Sequence, residues 1–234
     1  MKVVFITPFY NGSKNFETLI TSILDQENQN WEHIFIDDIS TDDSLEVLNN
    51  LTKDDNRFSV ISNKEKQFAL KNIIDVARDY QDNEDVIVAV IDGDDSLCNT
   101  RTVDLLISEY ESGSEVVWTG HKWDINSMNI SREMPNTVNP YQWPWCSSHL
   151  KTFKASLLQS IDDDNFKDLE GNWFIRGYDQ ALMLPALYVA KKRKYVDEIC
   201  YQYNINSVSV ENRVWVEKDQ MFTINLIRSR GFVG

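Results

Sequence analysis

Acidic side chains are grouped at two points of this sequence where an apolar run ends. Asp37 and Asp38 follow the run 32–36, and the segment Asp92-Gly93-Asp94-Asp95 follows the run 86–91. Carboxylates crowded into a cleft repel one another and lose hydration, and a divalent cation bound by their oxygens removes that cost. Such a cation can also bridge phosphate oxygens. The pattern favours a metal-assisted reaction on a substrate that carries phosphate.

Each of these segments also has an ordinary structural explanation. Asp-Gly and Asp-Asp pairs are common in turns, and Tyr10-Asn11-Gly12 could be a simple turn. The segment 37–40 could cap the N-terminus of a helix, where acidic charge is favourable. The functional interpretation depends on their arrangement, because all three segments follow predicted strands of one sheet. Ligands of open α/β sheets bind outside the carboxyl ends of the strands.

The elements that must position these residues alternate between strands and helices through residue 119. The run 86–91 is apolar at every position, which is typical of a central parallel strand covered on both faces. Ser40 and Asp43 form a capping-box signal for the second helix. The alternation predicts a doubly wound, mostly parallel α/β sheet with right-handed crossovers. Apolar patterns predict strands at 2–7, 32–36, 58–62, 86–91 and 116–119, and helices at 15–26, 40–53, 69–80 and 103–110.

The pattern changes after residue 120. Residues 121–148 contain three prolines and three tryptophans without a clear period. A helix is predicted over 179–191, with Pro185 kinking it or shortening its start. Short strands at 195–196 and 200–203 and a terminal helix over 214–228 complete the chain. We predict one domain, with a sheet-based N-terminal half and a more irregular C-terminal half.

Charge and composition exclude several classes of protein. The chain has 37 acidic residues against 23 Lys plus Arg, a net charge of -14, which argues against a nucleic-acid partner. Three cysteines lie far apart without a CxxC pair, which predicts reduced thiols in a cytosol-like compartment. No apolar stretch approaches the length of a membrane span. We therefore expect a cytoplasmic protein without an integral membrane segment.

Four segments share a spacing pattern with one known family: Ile6–Asn11, Ile36–Asp42, Ala69–Asn72 and Ile91–Asp95. Together they resemble the family 2 glycosyltransferases, which have the GT-A fold. The resemblance covers nearly the whole chain and is much stronger before residue 120. It implies a single glycosyltransferase domain over 1–234, with a nucleotide-sugar-binding half at 1–120 and an acceptor-binding half at 121–234. The family's PxYN, DDxSxD, (A)RN and DxDD pattern is matched in order by Ile6–Asn11, Ile36–Asp42, Ala69–Asn72 and Ile91–Asp95.

The resemblance implies roles for four residues around the nucleotide. Pro8 and Tyr10 would pack around the nucleoside base, and Asp38 would hydrogen-bond a uracil-like edge. Lys71 stands where the family usually has an arginine that faces the base or the diphosphate. A lysine lacks the planar fork of arginine, so it cannot grip that group in the same bidentate way.

The resemblance also implies roles at the reacting centre. Asp92 would approach the ribose, with Gly93 beside it in the donor-binding segment. Asp94 and Asp95 would hold Mn²⁺ or Mg²⁺, cations that suit oxygen ligands. Asp179, at the start of a predicted helix, would be the catalytic base. The alternative for Asp179 is an acidic residue that only interacts favourably with the helix N-terminus.

Two features depart from the family pattern. Many relatives carry a histidine in the segment matched by 203–207, where Asn206 is the nearest equivalent. His149 could supply the missing imidazole or a contact to the leaving group, or be structural. The QxxRW motif of processive synthases is absent, which favours a single-addition transferase. Three tryptophans could stack on an acceptor sugar or belong to the core: Trp143, Trp145 and Trp173.

These observations predict an inverting, metal-dependent transfer of a sugar from a nucleotide-diphospho-sugar, with a UDP-sugar as the expected donor. The acceptor would be a hydroxyl of a glycan, lipid-linked or protein acceptor. One alternative is a nucleotidyltransferase, although residues 9–12 are a poor version of its Gly-rich phosphate loop. A phosphatase would carry its nucleophile loop after the first strand rather than the fourth. A non-catalytic nucleotide-sugar-binding module is distinguished only by measuring activity.

Overall fold

A central sheet carries the elements that end at the acidic segments. A computed structural model of the 234-residue chain describes residues 1–126, 128–204 and 210–234, and their side chains except those of 210–217. Within these ranges eight strands form the sheet in the order β3-β2-β1-β4-β7-β6-β8-β5. The strands are β1 (Lys2–Phe9), β2 (Trp31–Asp37), β3 (Phe58–Ser62), β4 (Val86–Val90), β5 (Ser96–Leu97), β6 (Val116–Trp123), β7 (Lys151–Lys154) and β8 (Arg193–Tyr203).

Most neighbouring strands are parallel. Strands β3, β2, β1 and β4 run the same way, as do β6 and β8. Strand β7 lies antiparallel between β4 and β6, and β5 is antiparallel to β8. The predicted α/β class with a mostly parallel sheet is confirmed.

Helices cover both faces of this sheet and enclose two apolar cores. Val86, Val88 and Val90 of β4 point into one core, whereas Ile87 and Ala89 point into the other. This explains why the run is apolar at every position. The first core includes side chains of α3, α5 and α6, and the second includes side chains of α1, α2 and α4. The helices are α1 (Phe16–Leu24), α2 (Ser44–Thr52), α3 (Phe68–Arg78), α4 (Thr102–Glu111), α5 (Tyr178–Val189) and α6 (Val210–Arg230).

The predicted start of the second helix at Ser40 is wrong. Helix α2 begins at Ser44, and Asp43 before it makes no capping hydrogen bond through its side chain. The Ser40 hydroxyl accepts a hydrogen bond from the Asn11 N–H at 3.0 Å, and the Ser44 hydroxyl accepts one from the Gly12 N–H at 2.8 Å. These hydroxyls therefore hold the loop after β1 instead of forming a capping box.

The C-terminal half is more regular than its sequence pattern indicates. The two short strands predicted after residue 194 are parts of one strand, β8, whose pairing with β6 shifts register around Gly120. Helix α5 begins at Tyr178 and continues through Pro185, so the proline does not shorten its start. Helix α6 begins at Val210, four residues before the predicted start. Across the described ranges, we find no helix with the length and apolar character needed to cross a bilayer.

Candidate active site

The acidic segments meet at one edge of the sheet because β1, β2 and β4 are parallel neighbours. The Asp38 N–H donates to the Phe9 carbonyl at 2.9 Å, and the Ile91 N–H donates to the Ile6 carbonyl at 3.1 Å. A Cβ atom on Gly93 would lie 3.1 Å from the Cβ of Phe9, so this segment packs tightly on the end of β1. The predicted convergence of the three strand-end segments is therefore present.

The loops at this edge contain strained backbone. Asn11, Ile39 and Phe68 have φ angles of 57°, 64° and 63°. Left-handed backbone is unfavourable for residues other than glycine, most of all for β-branched ones such as isoleucine. Such conformations persist only where surrounding contacts fix them, and they are concentrated at functional sites.

A small cavity of about 170 Å³, here called the tyrosine cavity, brings together Pro8, Tyr10 and Asp38. The ammonium of Lys66 lies 3.3 Å from the centroid of the Tyr10 ring and 3.5 Å from a carboxylate oxygen of Asp38. A cation over an aromatic face is attracted by the electrons of the ring. Tyr10 remains 52% exposed, so a face of this residue is available for stacking.

Lys71 does not line this cavity. Its ammonium pairs with Asp75 one turn along α3 and lies 5.5 Å from the centroid of the Trp173 ring. The cation beside Tyr10 is Lys66 instead. The contact of Lys71 with the base or the diphosphate stays a prediction.

Asp38 is almost fully buried and holds the start of α3. Its carboxylate accepts hydrogen bonds from the Gln67 N–H at 2.8 Å, the Phe68 N–H at 3.0 Å and the Asn63 side-chain amide at 2.9 Å. Burial by itself would raise the pKa of Asp38, but these hydrogen bonds outweigh it and lower the pKa below its ordinary value. Asp38 is therefore an anion that fixes one wall of the tyrosine cavity.

A buried lysine in β7 joins two of the carboxylates. The ammonium of Lys151 lies 3.1 Å from Asp179 Oδ1 and 3.5 Å from Asp92 Oδ2, and its side chain is 0% exposed. The Tyr178 hydroxyl is 3.3 Å from the same ammonium and donates to Asp92 Oδ1. We call these four residues the lysine cluster.

Burial and charge act in opposite directions on the two members of the Lys151–Asp179 pair. Burial disfavours the charged form of Lys151, but the carboxylates of Asp179 and Asp92 outweigh it and raise its pKa. Burial also raises the pKa of Asp179, while the charge of Lys151 acts in the opposite direction. The side chain of Asp179 is 27% exposed, so this carboxylate has both a buried lysine partner and an accessible surface.

A second group of side chains has the chemistry of a metal site. One carboxylate oxygen each of Asp92 and Asp95 and one ring nitrogen of His149 lie within 4.8 Å of one another. His149 is 5% exposed, and its Nδ1 has no hydrogen-bond partner among the described residues. Burial lowers its pKa well below 6.5, so the imidazole is neutral and able to bind a metal. Two carboxylates and a neutral imidazole fit a divalent cation.

Asp95 is the most buried carboxylate of this group, at 1% exposed. It accepts hydrogen bonds from the Tyr201 hydroxyl at 2.7 Å and the Asn204 N–H at 2.8 Å. Burial, followed by the charges of Asp92 and Asp94, raises the pKa of Asp95 to about 8. Burial and the two neighbouring carboxylates therefore disfavour its ionised form.

Asp94 lies outside the group formed by Asp92, Asp95 and His149. It lines a neighbouring cavity of about 820 Å³ together with Asp95 and Lys14. Sequence reasoning proposed Asp94 and Asp95 as the metal ligands, and the geometry adds Asp92 and His149 beside Asp95. Asn206, the other residue considered near the metal, lies outside the described residues.

Asp179 lines a further cavity of about 210 Å³, here called the histidine cavity, with His149, Trp145 and Tyr203. The His149 ring stacks on Tyr201 and Tyr203, with centroid distances of 4.6 and 5.0 Å. Of the three tryptophans considered for acceptor stacking, Trp145 lines this cavity. All three also pack against the first apolar core.

Sequence reasoning missed several site residues. Lys151 belongs to an otherwise uncharged run at 150–153, and a charge inside a buried strand is the signal that could have indicated it. Tyr178 directly precedes Asp179. Tyr201 and Tyr203 alternate along β8, a spacing that places both on one face of the sheet.

Comparisons with known proteins agree on one family. The model of glycosyl transferase family 2 matches residues 4–168. A similar protein is the putative teichuronic acid biosynthesis glycosyltransferase TuaG of Bacillus subtilis, 41% identical over 59 residues, which cover 25% of this chain and 23% of that protein. The glycosyltransferase GlyG of Streptococcus pneumoniae is 25% identical over 225 residues, covering 88% of this chain and 71% of GlyG.

Two solved structures share the fold. S. aureus TarS 1–349 in complex with UDP-GlcNAc has a TM-score of 0.73 at 20% identity, covering 97% of this chain and 65% of TarS 1–349. The mannosyltransferase PcManGT from Pyrobaculum calidifontis in complex with GDP-Man and Mn²⁺ has a TM-score of 0.67 at 14% identity, covering 100% of this chain and 65% of PcManGT. The chain thus spans about two thirds of the length of these structures.

Proposed function

The chain belongs to glycosyl transferase family 2, and on this premise we propose that it transfers a sugar from a UDP-sugar to an acceptor hydroxyl, with inversion and with a divalent cation. The structures of similar fold that were solved with UDP-GlcNAc, and with GDP-Man and Mn²⁺, support a nucleotide-sugar donor and a metal. Membership of this family argues against the two alternative functions, nucleotidyltransferase and phosphatase. The non-catalytic alternative is decided by activity.

One observation carries the mechanism. Asp179 lines the histidine cavity, and the lysine cluster connects it to Asp92 at the end of β4. On one side this carboxylate lines a cavity that an acceptor hydroxyl could enter. On the other side Lys151 connects it to the acidic segment, where the donor would bind. Because burial raises the pKa of Asp179, this carboxylate accepts a proton more readily than an exposed aspartate does.

In the proposed reaction the acceptor hydroxyl enters the histidine cavity and donates its hydrogen bond to Asp179. As the acceptor oxygen forms a bond to the anomeric carbon, Asp179 takes the hydroxyl proton. The bond from that carbon to the diphosphate oxygen breaks on the opposite face, so the configuration inverts. A bound divalent cation would neutralise the negative charge on the leaving diphosphate.

The donor is held by the residues at the strand ends. Tyr10, with Pro8 beside it, offers an aromatic face for the nucleoside base, and Lys66 offers a positive charge above that ring. Asp92, Asp95 and His149 would hold the cation. Asp94 is the alternative carboxylate ligand, because it lines the adjoining cavity beside Asp95.

The first experiment identifies the donor. Thermal-shift screening compares UDP-, GDP- and CMP-sugars with and without Mn²⁺, because a ligand that binds only the folded state raises the melting temperature. We expect Mn²⁺-dependent stabilisation by a UDP-sugar. Stabilisation by GDP-sugars alone would correct the donor, and no stabilisation by any of them would contradict the proposal.

The second experiment tests the base. Asp179→Asn should lower sugar transfer on the order of 10²-fold or more, the usual contribution of general base catalysis, while donor binding is retained. Asp219→Asn, at an exposed position on α6, is the matched control and should leave transfer unchanged. The anomeric configuration of the product, read by NMR, tests inversion. Wild-type transfer rates in Asp179→Asn would show that another residue takes the proton.

A further inference from the structure

We propose that Lys151 is a positioning residue for the transfer reaction, holding the carboxylate of Asp179 in place beside the acceptor. The proposal rests on the proposed function of Asp179 and adds a residue that none of the family motifs includes. It is carried by three features: the burial of the lysine, its two carboxylate contacts, and the rigid strand that bears it.

The backbone of Lys151 is fixed from both sides. In β7 it pairs with Val90 of β4 and with Trp118 of β6, both in antiparallel register. The neighbouring β4 ends just before the Asp92-Gly93-Asp94-Asp95 segment. Residues on a strand within a sheet hold their side chains more precisely than residues on loops do. The ammonium of Lys151 is therefore a fixed point between the end of β4 and the start of α5.

The ammonium of Lys151 contacts one carboxylate on the proposed acceptor side, Asp179, and one on the proposed donor side, Asp92. At 3.1 Å it donates to Asp179 Oδ1, and at 3.5 Å it approaches Asp92 Oδ2. The Tyr178 hydroxyl, 3.3 Å away, completes its surroundings. The lysine therefore holds one carboxylate oxygen of Asp179 in a fixed place at the edge of the histidine cavity.

The ammonium of Lys151 is fully buried, whereas the side chain of Asp179 is 27% exposed. A lysine whose side chain is fully buried persists as an ion only with charged partners, and the two carboxylates supply them. The charge of Lys151 therefore depends on these carboxylates.

A purely structural ion pair is the competing explanation, and a double-mutant cycle separates the two. The variants are Lys151→Met, Asp179→Asn and the double variant, and the measured quantity is the release of nucleoside diphosphate from the donor selected by thermal shift. If Lys151 acts through Asp179, Lys151→Met lowers kcat at least 30-fold in the wild-type background and less than threefold in the Asp179→Asn background. The dissociation constant of UDP measured with Mn²⁺ present should change less than threefold.

Lys154→Met is the matched control, because it removes a partly exposed lysine from the other end of the same strand. If Lys151→Met does not give a native circular dichroism spectrum, the same cycle is run with Lys151→Arg, which keeps the charge. We then expect at least a tenfold loss of kcat in the wild-type background and less than threefold with Asp179→Asn.

The possible failures are distinct. Equal losses of kcat from the lysine substitution in both backgrounds would overturn the positioning role and leave the base assignment intact. A kcat for Lys151→Met within threefold of wild type would also overturn it. An unchanged rate for Asp179→Asn alone would remove the base, and with it the premise of the cycle.

Discussion

The buried carboxyl group of Asp95 predicts how the stability of the metal-free protein changes with pH. Its pKa is raised from 3.8 to about 8 in the folded state. Between these values the folded protein holds a proton that the unfolded chain has lost, so the free energy of unfolding falls as the pH rises. One such group contributes a fall of up to about 1.4 kcal/mol per pH unit.

The three histidines also change the free energy of unfolding with pH, in the opposite direction to Asp95. Burial lowers the pKa of His33 to about 3 and that of His121 to about 4, and it lowers the pKa of His149 well below 6.5. Each is protonated in the unfolded chain below pH 6.5, so the histidines make the protein more stable as the pH rises toward that value. Between pH 6.5 and 7.5 this gain diminishes but still offsets part of the fall caused by Asp95, and the comparison with Asp95→Asn removes it because both proteins share the three histidines.

The measurement is urea unfolding at pH 6.5 and 7.5 with EDTA present. Asp95→Asn removes the titrating proton and keeps an oxygen that can accept from the Tyr201 hydroxyl. Between these two pH values the wild type should lose about 1 kcal/mol more stability than Asp95→Asn does. Asp179, whose pKa is also raised, contributes equally to both proteins and cancels.

Asp219→Asn is the control and should follow the wild type. Excess Mn²⁺ should reduce the wild-type decline, because the cation binds the ionised carboxylate and displaces its proton. The reasoning is refuted if the wild type and Asp95→Asn lose the same stability between pH 6.5 and 7.5, since the folded-state pKa of Asp95 would then lie below this window.

Two further predictions concern the metal and the nucleotide. His149→Gln should raise the Mn²⁺ dissociation constant on the order of tenfold or more, and the nitrogen coupling in pulsed electron paramagnetic resonance should disappear. His121→Gln should keep that coupling, and its persistence in His149→Gln would exclude His149 as a ligand. Lys66→Ala should weaken UDP binding about tenfold through loss of the contact with Tyr10, whereas Lys71→Ala should weaken it less than twofold. Calorimetric titration measures both dissociation constants. The reverse order would show that Lys71, and not Lys66, contacts the nucleotide.

The parallel part of the fold follows from local sequence pattern. The apolar run at 86–91 predicts a strand buried on two faces, and β4 contributes alternate side chains to the two cores. The meeting of the acidic segments follows in turn, because parallel neighbours end at the same edge. Each of these inferences needs only the residues of one segment and the geometry of a sheet.

The lysine cluster could not be predicted in this way. Lys151 is 59 residues from Asp92 and 28 from Asp179 along the chain, so no local spacing connects them. The same is true of His149, which is brought to Asp95 by the placement of β7. The place of Lys66 beside Tyr10 could not be predicted for a more local reason, since the backbone at the start of α3 is left-handed at Phe68. Backbone of that kind is imposed by tertiary contacts rather than by residue preference.

The position of β7 in the chain also governs when β4 gains its second partner during synthesis. Strand β4 pairs with β1 on one side and with β7 on the other, and β7 begins at Lys151. Until that strand has left the ribosome, β4 has one edge without a partner, and its five residues, all apolar, form a segment prone to pairing with other chains. The ordering of the active site and protection from aggregation therefore depend on the same four residues, 151–154.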